Sequence, residues 1–86
     1  MSGSKDASQI SINQCEALRL VSRALDIPVE SITGEDSLVT LDAWDSIGHM
    51  RIILEIESAI AVELETEQIL ELWSVMDVAR LLKAHQ

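Results

Sequence analysis

Apolar residues recur along this chain at spacings of three and four, with no sustained alternation, which predicts helices and no sheet. Ile12, Cys15, Leu18, Val21 and Leu25 fall on one face of a first helix, expected to open near Ser8 or Ser11. Ser11 with Gln14 three residues later fits a capping box. Asp26-Ile27-Pro28 should end the helix, because the residue before proline avoids the helical region. Residues 1–8 are polar and read as a disordered tail, leaving residues 9–86 as one domain.

From Asp26 to Asp45 the pattern is irregular, with Pro28, Gly34 and several Asp, Ser and Thr residues. A structureless stretch of about 20 residues would be unusual in a compact domain. Val29, Ile32, Leu38, Val39 and Leu41 are spread through it, however, and can pin it to a core. An ordered long loop is expected, with room for a short turn of helix.

Asp45-Ser46 opens the second and most apolar helix. Ile47, Met50, Leu54 and Ala61 keep helical rhythm, while Ile52, Ile53, Ile56 and Ile60 widen the apolar face. Such a helix should be central and largely covered by its neighbours, fading around Ala61 to Glu63. Thr66 looks like the N-cap of a short third helix holding Ile69, Leu70 and Leu72. Ser74 and Asp77 suggest a capping pair for a last helix whose inner face is Val75, Val78, Ala79, Leu81 and Leu82. Arg80, Lys83 and His85 near its end suit the helix dipole. The expected fold is all-α: three main helices, one short one, and a long loop between the first two.

Length adds a bound. Eighty-six residues make one domain with a small core, too small to enclose a deep catalytic pocket. Charge adds another: fifteen acidic residues stand against six basic ones. Between Arg23 and Arg80 the only base is Arg51. Such a surface repels phosphate backbones and anionic headgroups, so nucleic-acid and membrane partners are not expected, and basic patches on proteins are its complement. No apolar run approaches the roughly 20 residues that span a bilayer, and the polar N-terminus has no signal-peptide character. A cytoplasmic monomer is expected.

Catalytic sets are missing from the sequence pattern. His49 lies three residues after Ser46 without an orienting group, and reads as a solvent-facing helical histidine. His85 is next to the C-terminus. Glu63, Glu65 and Glu67 lack calcium-loop spacing and read as a solvated turn, so no metal site is assigned. Cys15 is the only cysteine, which precludes an intrachain disulfide. Its place on the inner face of the first helix predicts a buried, inert thiol. Ser46 at the head of the most apolar helix is, by itself, an ordinary cap. Its hydroxyl would nevertheless be exposed, where a helix N-terminus stabilises a phosphate ester.

The run Leu41-Asp42-Ala43-Trp44-Asp45-Ser46-Ile47-Gly48-His49-Met50 resembles the attachment motif of phosphopantetheine carrier proteins, the acyl carrier family, whose core is Asp-Ser followed by an apolar residue. The likeness covers roughly residues 10–84. It takes in Ile27-Pro28-Val29, the loop segment Asp36-Ser37-Leu38, Leu54-Glu55-Ile56-Glu57 and Ser74-Val75-Met76-Asp77. The resemblance implies a small right-handed bundle with 4'-phosphopantetheine attached to Ser46 by a phosphopantetheinyl transferase. It implies a non-catalytic carrier of an acyl, aminoacyl or peptidyl thioester, working with a loading enzyme and downstream transferases or synthases of fatty-acid or secondary metabolism. Asp45 would help present Ser46 and add negative charge for the transferase. Ile47 and Met50 would be read by partners at the head of the second helix, or be core; Met50 is assigned to the core. Trp44 would flank the arm or plug the loop onto the bundle, and Trp73 would pack between the last two helices. The fatty-acid type carries acidic side chains shortly after the serine. Gly48 and Arg51 stand there instead, with Glu55 and Glu57 nearby, which suggests a specialised carrier. The alternative is an acidic helical interaction domain with no prosthetic group, in which Ser46 is only a cap.

Overall fold

A computed structural model describes the backbone of residues 2–85 and side chains from Gln14 to His85. Helix α1 spans Ser2–Leu25, α2 Ser46–Ile60, α3 Thr66–Leu70 and α4 Val75–Ala84, with a single 3-10 turn at Val29–Ser31 in the long loop. No strand occurs among the described residues; an isolated antiparallel bridge joins Ser37 to Ser74. The expected all-α fold of three main helices and one short one is therefore observed.

Helix α1 opens at Ser2, earlier than Ser8 or Ser11, so Ser11 lies inside the helix and does not cap it. The expected tail of residues 1–8 is helical from Ser2 onwards, with Met1 outside the described residues. The physical reason is that no proline interrupts this stretch, and extending an existing helix is far cheaper than nucleating one. At the other end Asp26 turns into the left-handed region (φ 57°), where a short polar side chain is tolerated. The Ile27 N–H then donates to Ser22 O at 3.1 Å, and Ser22 Oγ donates to Ile27 O at 2.6 Å. These bonds close the helix end just before Pro28.

Three helices share one core: α1 packs on α4 and α2, and α2 on α4. Ala17, Leu20, Val21, Ala24 and Leu25 face inward from α1, Ile52 and Ile56 from α2, and Val75, Val78, Ala79 and Leu82 from α4. Ile32, Trp44, Leu64 and Leu72 plug it from the connections. The face of α1 is therefore turned from the one read in sequence. Alanines 17 and 24 are buried on it, 0 and 4% exposed, beside Leu20 and Val21. Cys15, expected to be buried, is exposed as a consequence.

Helix α2 departs further from expectation. Its inner face is Gly48, Ile52 and Ile56, while Ile47, Met50 and Leu54 are 63, 63 and 62% exposed. Met50 is not core. The helix has more apolar residues than its buried stripe can use, so two apolar faces lie on one helix and only one is covered. Ala61 ends it in the left-handed region (φ 58°). Glu65, not Thr66, caps α3, its N–H donating to Gln68 Oε1 at 2.9 Å. Ser74 and Asp77 form the expected reciprocal cap on α4.

Candidate functional site

The long loop is stapled down before it reaches Ser46. The Asp36 carboxylate accepts the Thr33 N–H and the Thr40 hydroxyl, both at 2.8 Å. These bonds, the Thr33 amide first, hold its carboxyl below the usual carboxylate range. Leu38 N–H donates to Trp73 O at 2.9 Å and Val75 N–H to Asp36 O at 3.1 Å, so the loop is tied across to the α3–α4 connection. Trp44, only 4% exposed, is the plug that ends it.

Asp45 is the N-cap of α2: its Oδ1 accepts the Gly48 N–H at 2.8 Å, and its carbonyl accepts the His49 N–H at 2.8 Å. Ser46 is the first helical residue, exposed, with its hydroxyl bonded to no described residue. Ser46 is thus not the cap, and the role that would have accounted for it structurally belongs to its neighbour. Gly48, expected on the exposed face, is buried. A Cβ there would stand 2.5 Å from Ala43 O and 2.6 Å from Leu25 Cδ2, so glycine lets the head of α2 close against the loop and α1.

His49 is only half-exposed, not solvent-facing. Trp44 Nε1–H donates to His49 Nδ1 at 3.0 Å, with ring centroids 6.3 Å apart. An indole nitrogen only donates, so Nδ1 is the acceptor and Nε2 carries the proton. Nε2 lies 3.3 Å from Ile69 O, to which it donates. One imidazole therefore joins the loop, α2 and α3.

The remaining expected site residues separate into two groups. Ile47, Met50 and Arg51 are exposed on α2 and run down the helix from Ser46. Glu55 and Glu57 are engaged elsewhere: Glu55 meets Arg23 at 3.3 Å, and Glu57 accepts the Leu64 N–H at 2.9 Å. Beside Ser46 opens a groove of about 590 Å³ whose walls include Leu38, Met50, Ile69, Leu70 and Trp73. Trp73 was expected to be packing, yet it is exposed, its indole N–H donating to Leu70 O at 3.0 Å. The groove walls come from the loop, α2, α3 and the α3–α4 connection, so no single periodic pattern marks them. The signal in the sequence was an aromatic residue next to a helix cap in a chain with no Phe or Tyr.

A family model described as "Phosphopantetheine attachment site" matches residues 16–82. No curated protein matches the chain significantly.

Proposed function

Because the chain belongs to the phosphopantetheine attachment site family, whose members carry 4'-phosphopantetheine covalently on a serine, we propose that Ser46 is the serine modified here. The observation that carries this reading is its hydroxyl: exposed, free of hydrogen bonds to described residues, and first in a helix whose cap is supplied by Asp45. The residues around it fit the group. The Gly48 N–H is taken by Asp45, but the Ser46 and Ile47 N–H groups of α2 lack intrahelical acceptors and favour an anion such as a phosphodiester. An open groove, not a packed wall, lies alongside. When bound, the group supplies a distal thiol that holds acyl, aminoacyl or peptidyl cargo as a thioester.

The chain's own residues do the presenting. Asp45 fixes the first turn, Gly48 seats it against the loop and α1, and Trp44 with His49 locks the loop to the helix. A phosphopantetheinyl transferase loads Ser46, and the exposed Ile47, Met50 and Leu54 form the apolar strip that transferases, loading enzymes and synthases contact. The chain itself acts as a non-catalytic carrier, a cytoplasmic monomer.

Arg51 supports a specialised role. It is the one base between Arg23 and Arg80 and it lies exposed on that strip, while Glu55 and Glu57 are held by Arg23 and Leu64. Partners that expect an acidic helix meet a cation, which disfavours housekeeping fatty-acid enzymes by like-charge contact. The deciding experiment is intact mass after incubation with coenzyme A, magnesium and a promiscuous transferase. One phosphopantetheine should add to the wild type and none to Ser46→Ala, with the variant's circular dichroism and melting unchanged. No addition to the folded wild type overturns the reading. Turnover of the loaded protein by housekeeping fatty-acid enzymes at their usual rate would overturn the specialised role.

A further inference from the structure

Trp44 and His49 stand on either side of Ser46, two residues before it and three after, and one hydrogen bond spans the gap. The indole nitrogen of Trp44 only donates, so the bond exists only while His49 Nδ1 keeps its lone pair. The backbone oxygen of Ile69 only accepts, so the proton belongs on Nε2. Both neighbours thus select one form of the imidazole, neutral with the proton on Nε2. An asparagine or a serine could tie a loop to a helix; this tie is made by a side chain that titrates. Trp44 is only 4% exposed, so its N–H has little water to turn to when the bond is lost. The charged groups on the elements around His49 are Asp42 and Asp45 on the loop, Arg51 on α2, Glu65 and Glu67 on α3, and Glu71 after it, all exposed. Asp45 is engaged by the Gly48 N–H, and Asp77 at the head of α4 by Ser74. None of them bonds the imidazole, whose two partners among the described residues are Trp44 and Ile69.

We infer that His49 is a positioning residue for arm attachment at Ser46, effective only in its neutral form, so that acidification slows loading through the carrier itself. The inference rests on Ser46 being the attachment site. In loading, the Ser46 oxygen attacks the pantetheine-side phosphorus of coenzyme A. A P–O bond forms to the serine as the bond to adenosine bisphosphate breaks, and the hydroxyl proton leaves to a base on the transferase. Both nitrogens of His49 are occupied elsewhere, so it takes no part in that exchange. Its part is to bridge the turn that carries the serine. A second proton, added at Nδ1, sets two N–H donors against each other across 3.0 Å, and the bridge opens. Residues 44–49 are then held by packing and by the Asp45 cap alone. A transferase meeting an opened turn binds only the fraction of molecules that are still bridged, which weakens apparent affinity by that fraction. Once bound, the serine sits as before. The loss therefore falls on KM and spares kcat.

The test reads transferase loading with coenzyme A by intact mass, and the two tryptophan indole N–H signals by NMR. His49→Ala should raise KM about threefold to tenfold, the worth of one net hydrogen bond, at nearly unchanged kcat. His49→Asn keeps an acceptor at the Nδ1 position at similar helix propensity, and should bring KM back towards wild type. From about pH 8 to about pH 5.5, a span over which histidines change charge, the wild-type kcat/KM should fall about threefold or more relative to His49→Asn. Taking that ratio cancels the transferase's own pH profile. The Trp44 indole signal should move with the same midpoint as the His49 imidazole, while the Trp73 indole, bonded to Leu70 O, stays still. A Trp44 signal indifferent to the His49 titration overturns the inference. So does a ratio that is constant with pH, or a folded His49→Ala with wild-type KM; both leave Ser46 as the attachment site. A fall in kcat at unchanged KM would put His49 in the chemical step and overturns it as well. Wild type that takes no arm at any pH overturns the attachment reading.

Discussion

Asp36 shows how a single side chain sets the site up from a distance. Its carboxylate accepts the Thr33 amide and the Thr40 hydroxyl, and its own carbonyl accepts from Val75. Because its folded pKa is depressed, its contribution to stability is present above the unfolded carboxylate value, near 3.9, and is lost as pH falls through the lower folded value. Asp36→Asn should therefore be less stable than wild type at neutral pH, and the gap should close as pH drops below the ordinary carboxylate range. Urea titrations at stepped pH check this; a gap independent of pH would mean that the bonds work without the charge. Asp45 and Ser46 divide their labour in a similar way. Asp45 carries the structural duty of a cap, which leaves the serine hydroxyl free of any structural task. An adjacent Asp-Ser pair allows either residue to be the cap, so sequence reasoning could not separate the two roles. The geometry of the Gly48 N–H did.

Helix α2 is the element on which the site depends, and its seat is set by one missing side chain. Gly48→Ala would drive a methyl into the Ala43 carbonyl and the tip of Leu25. The carbonyl is backbone and cannot step aside cheaply, so a loss of about 1–3 kcal/mol is expected, typical of an overpacked site. Chemical denaturation measures the loss, and loading by the transferase should slow because the first turn of α2 shifts. Much at this scale was legible: the helix order, the start of α2 at Asp45-Ser46, and the Ser74–Asp77 cap all follow from spacing and capping chemistry. The facing of each helix was less so. Leu and Met at helical spacing predict an apolar face, but on α2 there are two such faces, and periodicity does not say which meets α1 and α4. Met50 went to solvent for that reason. On α1 the small residues Ala17 and Ala24 mark the contact, and a search for large apolar side chains passes over them. Trp44 and His49 are joined across a cap, where neither helical nor strand periodicity applies.

For the whole molecule, net charge is −9 on a small bundle, and among the described residues only two ion pairs are formed, each with its arginine largely exposed. Self-repulsion is therefore spread over the surface and is not cancelled locally. The melting temperature should rise between about 10 mM and about 150 mM salt, as the screening length falls from about 30 Å to about 8 Å. A flat response by calorimetry would show that the charges are spaced widely enough not to interact. The loop that precedes Ser46 is held by hydrogen bonds to the α3–α4 connection and by Trp44 and Ile32 in the core, so the serine is presented from a firm base. Helix α3 stands apart from that base. It is five residues long and has no fully buried residue: half-buried Ile69 packs against the core, and the caps and the His49 link hold the rest. Thr66, Glu67 and Leu70 face solvent, so a change at Leu70 would redraw the wall beside Ser46 while leaving the buried core untouched.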